Sequence, residues 1–173
     1  MASAAASVQN VCVAVVGVGL VGGEFIAQLL SLPQPSPFRL VAVSSSKHTL
    51  FSPSGISFSS SGWKSDLSKS TSGPDLVDLR VKLGALVAQG HKVALVENTS
   101  SQDIAQLYPG FMVGGISVIT PNKKAYSGDL ALYESIVDVS SRTGAKFLNE
   151  PTVGAGLPII STLKDLVATG GKV

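Results

Sequence analysis

Three glycines placed directly after an apolar run constrain this chain more than any other feature. The run Val11 to Val16 leads into Gly17, Gly19 and Gly22, which have the spacing Gly-x-Gly-x-x-Gly. In a strand-to-helix turn with this spacing, the first glycine permits a tight turn and the second lets the backbone approach a pyrophosphate. The third lets the helix lie close to the strand. The helix N-terminus then offers unpaired N–H groups and a positive dipole end to an anion.

The residues on either side distinguish a ligand-binding turn from an ordinary tight turn, in which glycines are also common. A strand pattern precedes the glycines, and the amphipathic pattern of residues 24–32 follows them. A strand, a glycine turn and a helix in this order form a dinucleotide-binding unit. The sequence therefore predicts that Gly17, Gly19 and Gly22 contact a dinucleotide cofactor.

Short β-branched runs alternate with longer helical patterns along the rest of the chain. Each short run is wholly apolar, which is typical of parallel strands covered on both faces. The predicted strands are residues 11–16, 39–44, 92–96, 116–120 and 146–149, and the predicted helices are residues 20–32, 75–89, 101–108, 128–143 and 158–168. The pattern predicts an α/β fold with a doubly wound, mostly parallel sheet, a Rossmann-type NAD(P)-binding domain.

One serine-rich stretch interrupts this alternation. Residues 44–72 contain thirteen serines and have little periodicity, apart from a possible short helix at residues 64–69. We expect a long surface loop here, held to the body of the domain by Phe58 and Trp63.

Composition limits the class of protein. The chain has 173 residues, of which 45% are hydrophobic, and this is enough for one domain with a sizeable core. Thirteen basic and eleven acidic side chains give a net charge of +2 without a basic run, so nothing indicates nucleic-acid binding. The single cysteine, Cys12, excludes an internal disulfide and is expected to be a small buried side chain in a reducing compartment.

The uncharged N-terminal segment is not expected to be a targeting or membrane segment. The first basic residue is Arg39, and the apolar run before the glycine turn is far shorter than the roughly 20 residues that a membrane span needs. We therefore expect a cytoplasmic protein that does not bind membranes.

The end of the second predicted strand bears on which dinucleotide is bound. NAD-selective domains place an acidic residue there, which accepts hydrogen bonds from the ribose 2′-OH. Here the residues are Ser44, Ser45, Ser46, Lys47 and His48, with no carboxylate. Ser46 and His48 are thus candidate contacts for a 2′-phosphate, which favours NADP, although NAD stays possible and these residues could simply belong to the loop.

Two polar segments follow later strands, at the sheet edge where ligands bind in this architecture. They are residues 98–101 and 120–124. Capping of the next helix would by itself explain the first segment. In the second, Lys123 and Lys124 are adjacent, so at least one should face the cleft, where an ammonium group could hold a carboxylate or an alkoxide oxygen.

Several segments together carry a family resemblance. They are the glycine turn, Asn98-Thr99-Ser100-Ser101, Thr120-Pro121-Asn122-Lys123-Lys124-Ala125, and Asn149-Glu150-Pro151-Thr152-Val153-Gly154-Ala155-Gly156-Leu157-Pro158-Ile159-Ile160. In these segments the chain resembles homoserine dehydrogenase, above all the fungal monofunctional form. The resemblance implies NAD(P)-dependent interconversion of L-homoserine and L-aspartate 4-semialdehyde, on the route to threonine and methionine.

The resemblance also implies roles for particular residues. Lys123 matches a catalytic lysine that lies near both nicotinamide and substrate. The resemblance implies cofactor contacts by Leu20, Val21, Thr99, Ser100 and Lys123. The complete set of predicted cofactor contacts, with those from the glycine turn and the strand ends, is Gly17, Gly19, Leu20, Val21, Gly22, Ser46, His48, Asn98, Thr99, Ser100 and Lys123. The implied ligands of a monovalent cation, expected to be Na⁺, are Glu150, Val153, Ala155 and Leu157.

The chain departs from the family pattern at its end. We expect residues 1–157 to form the dinucleotide-binding domain and residues 158–173 to begin a truncated catalytic and dimerisation region. The family's proton-donor lysine and its aspartate would then lie beyond Val173, and the 173-residue chain would be inactive or nearly so. The resemblance implies a homodimer for the complete enzyme. The alternatives are a non-catalytic NADP-binding module and another Rossmann reductase.

Overall fold

The computed structural model describes residues 11–155 and 157–170. A six-stranded sheet with helices on both sides forms the body of the molecule. In chain order the elements are β1 (Val11–Val16), α1 (Leu20–Ser31), β2 (Phe38–Ser44), β3 (Thr49–Phe51), α2 (Gly62–Lys69), α3 (Leu76–Ala88), β4 (Lys92–Glu97), α4 (Gln102–Ala105), α5 (Tyr108–Val113), β5 (Ser117–Ile119), α6 (Lys124–Ser127), α7 (Leu130–Thr143), β6 (Phe147–Leu148), a 3₁₀ turn (Glu150–Thr152) and α8 (Ile159–Ala168).

The sheet has the strand order β3-β2-β1-β4-β5-β6. Every pairing is parallel except that of β2 with β3, so the predicted mostly parallel α/β fold is confirmed. Val16, the last residue of β1, pairs with Ser44 on one side and Glu97 on the other. Three strands therefore end level with one another, and the segments that follow them meet at one edge.

Two apolar clusters cover the two faces of the sheet. The larger includes Tyr108, Phe111 and Leu83 from the helices that follow β3 and β4. The smaller packs Ile26 of α1 against strand residues. Cys12 is fully buried with a free thiol, as predicted. Among the described residues, the helices lack the length and the apolar composition that a membrane span needs.

The prediction for residues 44–72 is wrong in part: the possible short helix is confirmed as α2, but the stretch expected to be a loop also contains the strand β3. A serine turn starts the reversal: the Ser45 hydroxyl accepts hydrogen bonds from the Lys47 and His48 amides at 3.2 and 2.9 Å. Hydroxyl-to-backbone bonds of this kind allow a serine-rich segment to form a defined turn. The predicted anchoring by Phe58 and Trp63 is confirmed, since both pack on the smaller cluster.

The predicted helix at residues 101–108 is also wrong in extent. The chain forms two short helices there, α4 and α5. Pro109 lies in the first turn of α5, where its missing N–H costs nothing, but it disfavours a continuous helix through the residues before it. The other predicted strands and helices lie within two residues of the observed bounds.

Candidate cofactor site

The glycine turn is held by contacts that leave no room for side chains at two of its glycines. Gly17 has a φ of +85°, and a Cβ atom there would lie 2.7 Å from the Thr99 methyl carbon and 2.9 Å from the Asn98 carbonyl carbon. A Cβ atom on Gly22 would lie 1.9 Å from the carbonyl oxygen of Gly17. These two glycines therefore serve the packing of β1, α1 and the segment after β4.

Gly19 differs, because a Cβ atom there would meet nothing within 4 Å. Its φ of −66° is also open to other residues. Neither packing nor backbone conformation explains this glycine, whereas a ligand that approaches the backbone would explain it.

The N-terminus of α1 is suited to an anion. Gly19 is the N-cap of this helix and supplies no side-chain hydrogen bond to it. Leu20–Ser31 are all described, and the first turn contains no acidic residue. Leu20 and Val21 are 95% and 61% exposed. The positive end of the α1 dipole is therefore open to solvent, and no side chain of the first turn neutralises it. A phosphate group could bind there.

A cavity of about 480 Å³ lies between the ends of β1, β2 and β4. It brings together four of the predicted contacts, Gly17, Ser46, Thr99 and Ser100. The complete lining is Val16, Gly17, Ser44, Ser45, Ser46, Pro74, Leu76, Thr99, Ser100, Ser101 and Ile104. Its size and mixed lining suit part of a dinucleotide.

A second cavity of about 190 Å³ shares Ser45 with the first. It is lined by Val18, Ser45, His48, Trp63, Lys64, Leu67 and Ser68. Nδ1 of His48 lies 2.8 Å from the carbonyl oxygen of Ser70, which fixes the ring, and Nζ of Lys64 lies 5.6 Å from the centre of the Trp63 ring. The described linings of both cavities lack acidic residues.

Sequence reasoning missed Lys64 and Trp63 as part of this site. Both belong to α2, which the sequence shows only as a weak pattern inside the serine-rich stretch. Lys64 and Trp63 reach the cavity only because the serine-rich stretch folds back beside the end of β2. The local sequence does not predict that arrangement.

A buried glutamate connects the segments that follow β4 and β5. Glu97 is fully buried, and its Oε1 accepts a hydrogen bond from the Thr99 amide at 2.5 Å. Its Oε2 accepts from the Tyr108 hydroxyl, from the Thr120 hydroxyl at 3.0 Å and from the Asn122 amide group at 3.2 Å. Sequence reasoning assigned no role to Glu97. The available signal was a charged residue that directly continues an apolar strand.

Burial and the nearby Glu97 carboxylate raise the pKa of Tyr108 far above its usual value. The phenol is therefore protonated at neutral pH and acts as a donor to Glu97. Burial also raises the pKa of Tyr126, whose ring packs against Tyr133 of α7 and Phe147 of β6.

Two other predicted contacts, Asn98 and Lys123, lie outside the linings of these cavities. Asn98 lies against the glycine turn, and its Nδ2 is buried without a hydrogen-bond partner among the described residues. Lys123 and Lys124 are exposed, and Lys123 lines neither of the two cavities described above. Lys123 is the N-cap of α6, and its carbonyl oxygen accepts a hydrogen bond from the Tyr126 amide at 2.9 Å. This bond fixes the backbone of Lys123.

The predicted cation ligands lie around the 3₁₀ turn and the start of α8. The Glu150 carboxylate accepts hydrogen bonds from the Ile160 and Ser161 amides, each at 3.0 Å. Val153, Ala155 and Leu157 are exposed, and Ala155 has a φ of +52°. Within the described ranges, no three His, Cys, Asp or Glu side chains cluster closely enough to hold a metal ion.

Comparison with known proteins identifies the family to which this chain is similar. The family model described as "Homoserine dehydrogenase, NAD binding domain" matches residues 17–150. The homoserine dehydrogenase of Schizosaccharomyces pombe is 39% identical over 174 residues, which cover 97% of this chain and 46% of that protein. The chain thus spans about half the length of the curated fungal relatives it matches.

Solved structures share the fold. A Candida auris protein of unknown function superimposes with a TM-score of 0.76 at 40% identity, over 95% of this chain and 45% of that one. A hyperthermophilic archaeal homoserine dehydrogenase mutant in complex with NADPH gives a TM-score of 0.67 at 23% identity, over 92% of this chain and 50% of that one.

Proposed function

Because the chain belongs to the homoserine dehydrogenase family, we propose that it is the cofactor-binding half of an NADP-dependent enzyme that interconverts L-homoserine and L-aspartate 4-semialdehyde. The observation that carries the proposal is the open space in front of Gly19, at an uncompensated helix N-terminus beside a 480 Å³ cavity. Such an enzyme would act in threonine and methionine biosynthesis.

The residues of the site fit a dinucleotide in chemistry as well as in shape. The amides at the start of α1 would take the pyrophosphate, since Gly19 leaves the backbone accessible and nothing at the helix end competes for it. When bound, the cofactor supplies the hydride. The chain's part is to hold the cofactor, with Thr99 and Ser100 at its nicotinamide end and Ser46 at its adenosine end.

The small cavity supports a preference for NADP over NAD. Lys64 and His48 line it, and Ser45 connects it to the larger cavity. A lysine ammonium and hydroxyl donors can hold a 2′-phosphate, whereas selection of NAD relies on a carboxylate, which neither described lining contains. Lys64 thus joins Ser46 and His48 as a proposed 2′-phosphate contact.

Lys123 is the proposed catalytic group within this chain. Its turn follows β5, close to the segment of Thr99 and Ser100, because Asn122 bonds the Ser101 carbonyl at 3.0 Å. From there an ammonium group would polarise the aldehyde oxygen and stabilise the alkoxide that forms as hydride arrives.

A monovalent cation, expected to be Na⁺, is a further proposal. One carboxylate and the carbonyl oxygens of residues 153, 155 and 157 are hard oxygen donors of the right type. In this structure the Glu150 carboxylate already accepts hydrogen bonds from the Ile160 and Ser161 amides at the start of α8. A cation would therefore share this carboxylate with α8, and NaCl should raise the thermal stability of the chain more than choline chloride does at equal ionic strength.

The dehydrogenase proposal can be tested by joining this chain to the remaining part of the Schizosaccharomyces pombe relative, of which it matches 46%. The fusion should oxidise NADPH when L-aspartate 4-semialdehyde is added, and Lys123→Ala should remove most of that turnover in a protein that still binds NADPH. A folded fusion that binds NADPH but has no turnover would favour the non-catalytic NADP-binding module instead.

A further inference from the structure

The buried carboxylate of Glu97 has an unusual environment. All of its partners are donors: one backbone amide, two hydroxyls and one side-chain amide. The ion pairs in the described part of the chain are Lys82 with Asp78 and Arg142 with Asp138, so Glu97 has no cationic partner there. Burying a charge is costly unless hydrogen bonds satisfy it, and four donors on one carboxylate do this.

The donors come from different segments. Thr99 belongs to the segment after β4, whereas Thr120 and Asn122 belong to the segment after β5. Asn122 extends the link, because its Nδ2 also donates to the Ser101 carbonyl at 3.0 Å and its Oδ1 accepts from the Lys124 amide at 3.0 Å. The carboxylate is therefore the common point through which these two segments are held together.

The two segments carry the residues assigned above to the nicotinamide end of the site. Thr99 and Ser100 lie on the first, and Lys123 lies between Asn122 and Lys124 on the second. The proposed 2′-phosphate contacts lie elsewhere, at the end of β2 and on α2, and they make no hydrogen bond to Glu97.

We propose that Glu97 is a positioning residue for the nicotinamide half of the cofactor site: its carboxylate fixes the Thr99 segment and the Lys123 turn relative to each other. The inference rests on the proposed binding of NADP. It predicts that loss of the carboxylate weakens binding of the nicotinamide half of the cofactor and spares the adenosine half. A residue that merely stabilises the fold would not separate the two halves.

The test uses the 173-residue chain and two ligands, NADPH and adenosine 2′,5′-bisphosphate, which lacks the nicotinamide. Glu97→Gln keeps the shape but turns one acceptor into a donor that faces other donors. We expect it to weaken NADPH binding by about tenfold or more and to change the affinity for the bisphosphate by less than about twofold. Tyr108→Phe, which removes one donor and keeps the carboxylate, should change neither affinity by more than about threefold.

A second variant keeps the test decisive if Glu97→Gln fails to fold. Asn122→Ala removes one of the four donors to Glu97 and the bond to the Ser101 carbonyl, so it loosens the link between the segments, although Thr120 still donates to the carboxylate. It should therefore show the same separation between the two ligands. Equal weakening of both ligands, or unchanged NADPH binding in the folded variants, would overturn the inference. The unmodified chain is titrated before any variant. If it binds neither ligand, the proposed function itself fails.

Discussion

The carbonyl oxygen of Gly17 lies 1.9 Å from the position that a Cβ atom on Gly22 would occupy. The two residues therefore fix the distance between the end of β1 and the first turn of α1. Gly22→Ala must push them apart, and we expect it to lower the free energy of unfolding by about 1–3 kcal/mol and to weaken NADPH binding. Urea denaturation followed by circular dichroism measures the first effect.

The neighbouring glycine provides a matched control. A Cβ atom on Gly23 would lie 3.8 Å from the Trp63 ring, which is an ordinary contact. Gly23→Ala should stabilise the chain by up to about 1 kcal/mol, because alanine favours a helix interior. If the two alanine variants have equal stability, the close approach of Gly17 and Gly22 does not exist in solution.

Gly19→Ala separates ligand contact from folding. Its side chain would meet no protein atom within 4 Å, so the free energy of unfolding should change by less than about 1 kcal/mol, the usual effect at an N-cap. NADPH affinity should fall by about tenfold or more, because the methyl group would occupy the space proposed for the pyrophosphate. Gly84→Ala, in the open interior of α3, should leave the affinity unchanged. Equal NADPH affinity in the Gly19→Ala variant and the unmodified chain would place the pyrophosphate elsewhere.

Lys64→Ala tests the 2′-phosphate site. Loss of the ammonium group should weaken NADPH binding about three- to tenfold and leave NADH binding unchanged, since only NADPH carries the extra phosphate. The difference should shrink at high salt, because exposed charges are screened. Lys69→Ala, at the other end of α2, is the control. A parallel loss for both cofactors would contradict the assignment.

Asp66 gives a pH prediction for the serine-rich segment. The Ser59 hydroxyl and amide donate to its carboxylate at 2.5 and 2.6 Å, and these bonds lower the pKa of Asp66. A lowered pKa stabilises the fold above the unfolded pKa, and this contribution is lost as the pH falls through the folded pKa. Ser59→Ala should raise the pKa of Asp66 in an NMR titration, whereas Ser54→Ala should leave it unchanged. An unchanged pKa in Ser59→Ala would mean that the hydroxyl bond does not form.

Local signals in the sequence were enough for the parallel strands and the glycine turn, but not for β3 or for the break between α4 and α5. Apolar runs located the parallel strands, and the spacing of Gly17, Gly19 and Gly22 located the turn that begins α1. These features depend on residues that are adjacent in the chain. The hydrophobic period and the composition of each segment therefore predict them. The family was likewise indicated by short contiguous motifs.

Features that depend on distant residues could not be predicted. Glu97 is satisfied by Tyr108, Thr120 and Asn122, which lie 11 to 25 residues away. The second cavity depends on α2 packing beside β2, within a segment whose composition predicts a loop. Such contacts are decided by tertiary packing, which overrides local propensity.

The proposed function requires that this chain binds NADP(H) at the turn before α1. Titration of the unmodified 173-residue chain with NADPH, followed by nucleotide fluorescence, tests it directly. We predict saturable binding of one NADPH per chain, tighter than the binding of NADH and weakened by Gly19→Ala. The absence of saturable binding by a folded chain would mean that the turn before α1 is not an NADP(H) site.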